Sequence, residues 1–95
     1  MIVVRRIEEF SQRLKKLRDR IARAKIITRI QRVELNNLGD ARFFGGIGEL
    51  RINYGPGYRG YFVQRGPMVV ALLCCGGKAT QDQDISAPRA MAKEV

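Results

Sequence analysis

Apolar residues recur along this chain in two different periods, and the change from one to the other divides it. Ile2 to Val4 is short, β-branched and followed by charge, which predicts an edge strand. From Ile7 the spacing lengthens. Ile7, Phe10, Leu14, Leu17 and Ile21 recur every three or four residues, the stripe of a helix. Asp19 is a good N-cap residue, placed where one helix ends and a second begins. The second helix carries Ile26, Ile27, Ile30 and Val33 inward and Arg23, Lys25, Arg29 and Arg32 outward. It should stop by Asn36-Asn37, with Gly39 close behind as a terminator.

After Asp40 the period falls to two. Ala41–Phe44 reads as a strand and Gly45–Gly48 as a turn or bulge. Residues 48–63 then read as two strands joined by Gly55-Pro56-Gly57. Alternation puts Leu50, Ile52 and Tyr54 on one face of the first strand and Arg51 and Asn53 on the other. In the second strand Tyr58, Gly60 and Phe62 share the core face, opposite Arg59, Tyr61 and Val63. Arg51, Asn53, Arg59 and Tyr61 thus gather on one surface, which would suit a phosphate backbone with bases to stack. Gln64–Pro67 is the next turn, and Met68 to Cys75 runs apolar without alternation, as a central strand does. Gly76-Gly77-Lys78 breaks it. Asp82 and Asp84 suit the first turn of a last helix, which Pro88 would interrupt or delay. The order predicts one α+β domain over residues 1–95: two N-terminal helices on one face of a small, mostly antiparallel sheet, and a short C-terminal helix.

Composition changes this picture by what it offers and what it lacks. The formal net charge is +9 over 95 residues, so an anionic partner is expected. No apolar run approaches the ~20 residues of a membrane span, and the first residues lack the ordered regions of a signal peptide, so a cytoplasmic location is expected. Cys74 and Cys75 are adjacent in a strand and read as small buried hydrophobes rather than a disulfide or metal pair. Histidine is absent, which removes the commonest general acid–base and zinc ligand. Phosphate-binding loops, zinc spacings and nucleophile elbows are missing as well. No cofactor or metal is implied. Chemistry without histidine remains open to RNA cleavage by its own 2′-hydroxyl, where arginines aimed at the developing charge can contribute about 3–4 kcal/mol per well-placed donor. Lys78 and Tyr61 are then the candidates for proton transfer.

The block Glu49-Leu50-Arg51-Ile52, Gly55-Pro56-Gly57-Tyr58-Arg59 and Tyr61-Phe62 resembles the RelE/ParE superfamily toxins of bacterial toxin–antitoxin modules, in the short HigB-like branch. Weaker likenesses run nearly the whole chain, through Glu9-Phe10, Leu17-Arg18-Asp19, Gly39-Asp40 and Gly76-Gly77-Lys78. The resemblance implies an mRNA endonuclease that acts on the ribosome and is neutralised by a cognate antitoxin, commonly a helix-turn-helix DNA-binding protein. It matches Arg51 and Arg59 to strand cations of an RNA-facing sheet and Lys78 to a basic position after the last strand, so these three are the expected catalytic residues; Asn53, Tyr61, Arg42 and Arg65 are the expected substrate contacts. Asn53 stands where some relatives carry lysine. Gly60 replaces an aliphatic residue, which forgoes roughly 1.5–3 kcal/mol of burial unless neighbours fill the space. The glycine turn before Lys78 is one residue short, and the tail has Pro88 and no tyrosine. The alternatives are a ParE-like inhibitor of DNA gyrase that cleaves nothing, and an attenuated RNA-binding relative.

Overall fold

The computed structural model describes residues 2–55, 57–76 and 86–95. Its elements are β1 (Val3–Arg6), α1 (Glu8–Lys16), α2 (Arg20–Glu34), β2 (Ala41–Phe44), β3 (Ile47–Ile52), β4 (Tyr58–Arg65), β5 (Met68–Gly76) and α3 (Ser86–Ala92). The five strands form one sheet in the order β1-β5-β4-β3-β2. Only β1 and β5 run parallel; the other pairs are antiparallel. The fold is thus the α+β arrangement expected, with β1 at one edge and the apolar β5 inside. Among the described residues no helix is long and apolar enough to cross a membrane.

Local chemistry separates the helices. Leu17 turns extended and ends α1, and the Asp19 carboxylate accepts from the Ile21 and Ala22 amides at 2.9 and 3.1 Å to start α2. Arg23 bonds back to the Leu17 carbonyl and fixes the junction. This restart explains why Ile21, on the apolar stripe in sequence, is exposed: the break resets the helical phase. The hairpin tip rests on the same junction. The Tyr54 hydroxyl donates to Asp19 at 3.1 Å, and Lys25 Nζ lies 5.5 Å from the Tyr54 ring centroid.

Each sheet face has its own core. On the helical side Phe10, Leu14, Ile26 and Ile30 meet Ile52, Ala71 and Cys74, and Val33 meets Leu50, Phe62 and Val69. Gly48 belongs to β3 rather than to the preceding turn, because Phe62 lies over it and a β-carbon there would overlap the ring. Gly60 is buried on this side, as alternation requires, but neighbours do not fill the missing side chain. A β-carbon there meets nothing within 4 Å, and an apolar void of about 20 Å³ lies alongside. On the opposite side Ile47, Tyr61, Val63, Val70, Leu72 and Leu73 pack with Ala92 of α3. A bulge in β5 opposite Tyr61/Phe62 puts Leu72 and Leu73 together in this second core. Pro88 does not interrupt α3. It occupies the first turn, where its missing N–H has no intrahelical partner to lose, and it is buried. Lys78, Asp82 and Asp84 lie outside the described residues.

Candidate functional site

Strand register builds the site. Arg51 of β3 stands directly opposite Arg59 of β4, and Glu49 opposite Tyr61, on the face turned away from α1 and α2. From the other side β2 places Arg42 beside Glu49. Like charges directly across a ladder repel. Glu49 relieves that repulsion: its Oε1 lies 3.7 Å from Arg51 Nε and its Oε2 3.5 Å from Arg59 Nε. The Tyr61 hydroxyl donates to Oε2 at 3.3 Å. The carboxylate is 1% exposed, whereas the Arg51 and Arg59 side chains are 41% and 31% exposed. A buried anion therefore holds two cations that still reach solvent. Both ion pairs are long, and among the described residues Arg51 Nε has no hydrogen-bond partner. Two guanidiniums against one carboxylate leave net positive charge, which Arg42 increases. Such a surface can take a phosphate.

The residues singled out from sequence divide into groups. Arg51, Arg59 and Arg42 come together as expected; Arg42 is exposed, with its guanidinium 4.8 Å from the Phe44 ring centroid. Asn53 is exposed just past β3 and lines a cleft against α2. Arg65 is at the far end of β4, where its Nη2 donates to the Ala92 carbonyl at 3.1 Å and secures the end of α3. Tyr61 has the expected parity but is only 2% exposed, because α3 and its second core close that part of the face. It positions Glu49 and is not an exposed ring for base stacking. Glu49 is the residue that sequence reasoning missed. Its parity with Arg51 was the available signal, since two cross-strand arginines need a counter-charge.

Arg29, expected on the solvated side of α2, is also buried, at 8% exposure. Its Nη2 donates to the Asp40 carbonyl at 2.8 Å and its Nε to the Arg51 carbonyl at 3.3 Å. Arg51 N in turn donates to the Asp40 carbonyl at 3.0 Å. The guanidinium thereby clamps the strand that carries the site arginine. Gly39 leaves room for it, since a β-carbon there would lie 3.1 Å from its nitrogens. Burial lowers the Arg29 pKa, Arg32 lowers it further, and Asp40 opposes the shift.

Fold and site define a small basic α+β protein with a braced arginine pair on one sheet face. No family model matches the chain. An uncharacterized protein of Haemophilus influenzae (strain ATCC 51907 / DSM 11121 / KW20 / Rd) is 44% identical over 87 residues, covering 90% of this chain and 88% of that protein. The chain belongs to the family of that protein.

Proposed function

We propose that this chain is a toxin of a type II toxin–antitoxin module, similar to the HigB-like branch of the RelE/ParE superfamily. It cleaves mRNA on the ribosome and is neutralised by a cognate helix-turn-helix antitoxin. The observation that carries this reading is the Arg51–Arg59 pair, set against electrostatic repulsion and held by the buried Glu49. Stability alone does not call for two arginines across a ladder. A bound phosphate does.

In the proposed reaction the substrate supplies its own nucleophile. The 2′-hydroxyl gives up its proton to water as its oxygen attacks the adjacent phosphorus, the bond to the 5′-oxygen breaks, and the leaving 5′-oxygen takes a proton from water or from Lys78. The products are a 2′,3′-cyclic phosphate and a 5′-hydroxyl. Arg51 and Arg59 stabilise the charge that builds on the phosphoryl oxygens, at about 3–4 kcal/mol for a well-placed donor. Glu49 and Tyr61 act through them as positioning residues, and the Arg29 clamp fixes the strand. Lys78 supplies charge or a proton. Arg42 meets the RNA backbone beside the site.

The test is cell-free translation with the mRNA mapped by primer extension. Wild-type protein should create new 5′ ends and Arg59→Ala should not, while supercoiling by gyrase stays unaffected. Intact mRNA at a dose that blocks growth overturns the reading, and loss of supercoiling with intact mRNA replaces it with gyrase inhibition.

A further inference from the structure

A second concentration of positive charge lies around the end of β3, away from the arginine face. There α2, the loop before β2 and the end of β3 enclose a cleft of about 360 Å³. Lys25, Arg29, Arg32, Asn37, Asp40 and Asn53 are among its lining residues. With Arg51, four cations line the cleft against the one carboxylate of Asp40. Arg29 is more than nine-tenths buried, and its Nη1, itself shut off from solvent, has no hydrogen-bond partner among the described residues. A desolvated guanidinium with an unmet donor is costly unless an anion or water completes it. Asp40 does not complete it through its side chain: the bond from Arg29 goes to the Asp40 main-chain carbonyl. Asn37, Thr28 and Asn53 add side-chain hydrogen-bonding groups around the cleft. Cations with neutral donors suit a phosphate, which offers several acceptor oxygens to a guanidinium fork.

The cleft shares Arg51 with the arginine face. β2 covers β3 only as far as the Ala41–Leu50 pair, so Arg51 to Asn53 run beyond it. Arg51 both pairs across the ladder with Arg59 and lines the cleft. We infer that this cleft is a second phosphate site, which holds a neighbouring phosphodiester of the RNA strand whose scissile phosphate sits at Arg51 and Arg59. The choice of RNA rests on the function proposed above; the phosphate site itself rests on the cleft.

The test uses the full chain with isotope-labelled arginine and asparagine, titrated with inorganic phosphate and then with a 2′-O-methyl RNA pentamer that cannot be cleaved. The Arg29 Nε–H and Asn53 amide signals should shift and saturate with phosphate, and do so at lower concentration with the pentamer. Lys25→Gln combined with Arg32→Gln, both exposed positions, should weaken this at least tenfold with the amide spectrum otherwise native. Arg59→Ala should leave inorganic phosphate binding at the cleft within about twofold. Absence of saturation, meaning that water alone completes Arg29, overturns the inference. So does wild-type binding by the double variant, or saturation by a polyglutamate peptide more tightly than by RNA, which would make the cleft a protein contact. The two readings fail separately. RNA cleavage by a chain whose cleft takes no phosphate removes this inference alone, and phosphate in the cleft of a chain that cuts no RNA removes the proposed reaction alone.

Discussion

Two charged side chains are buried among the described residues, and they solve the same problem in opposite ways. Glu49 is an anion surrounded by cations: Arg51, Arg59 and the Tyr61 hydroxyl converge on it. Arg29 is a cation held by main-chain carbonyls, with a second arginine near enough to lower its pKa and one donor unmet. A buried charge must be paired or hydrogen-bonded. Glu49 meets that rule by ion pairing with Arg51 and Arg59 and by the Tyr61 hydrogen bond to Oε2, while its Oε1 has no hydrogen bond among the described residues, and so it prearranges a pair of partly exposed guanidiniums. Arg29 meets it through the Asp40 and Arg51 carbonyls, which makes a clamp on β3 and leaves its buried Nη1 without a hydrogen bond among the described residues. One residue arranges the arginine pair; the other braces the strand that carries it.

Removing the anion should have the largest effect. Breaking a buried ion pair costs about 3–5 kcal/mol, but the arginines left behind are 41% and 31% exposed and can turn to water. Glu49→Gln should therefore destabilise the fold by about 2–3 kcal/mol in urea, and abolish activity in the fraction that stays folded. Removing the cation should cost less. Arg29→Met loses two hydrogen bonds from a charged group but also a desolvated guanidinium, for a net loss of about 1–2 kcal/mol. Faster hydrogen exchange at the Arg51 amide distinguishes this loosened strand end from a general loss of stability.

The remaining two changes leave both buried charges in place. Gly60→Ala fills part of the void on the helical side and restricts the unfolded chain, so it should stabilise by about 1 kcal/mol. Thermal unfolding reads it, and a lowered Tm would show that the void is not available to the new methyl. Tyr54→Phe should have the smallest effect near neutral pH. Burial first, then the hydrogen bond and charge of Asp19, raise the Tyr54 pKa above its ordinary value of 10.0. A raised folded-state pKa gives stability that is present below pH 10.0 and lost as pH climbs through the folded value. Wild-type stability should thus fall in that alkaline window, and Tyr54→Phe should remove this part of the fall.

What was legible in the sequence is what neighbouring residues decide. Asp19 bonds amides two and three positions away, so its capping role could be read directly. The unbroken apolar run of β5 announced a strand covered on both sides, and hairpin parity put Arg51 and Arg59 together. The misreadings at the site are tertiary. Arg29 looks like any cation on a solvated helix face until carbonyls from Asp40 and Arg51, 11 and 22 residues away, come to meet it. Tyr61 was correctly assigned to the arginine side, but no local pattern says that α3 covers that part of it. Glu49 was visible in the motif, yet its burial depends on Arg42, Arg59 and Tyr61 arriving from neighbouring strands. Gly60 was legible as a missing side chain, whereas the void beside it required the packed helices to be seen.

The arginine pair braced by Glu49 is proposed to cleave RNA. The most direct measurement is primer extension on mRNA during cell-free translation, with wild-type protein and Arg59→Ala at equal concentration and both shown to be folded. The expected result is a set of new 5′ ends with wild type that Arg59→Ala fails to produce. The same ends with both proteins, or none with a wild-type protein that arrests growth, would contradict it.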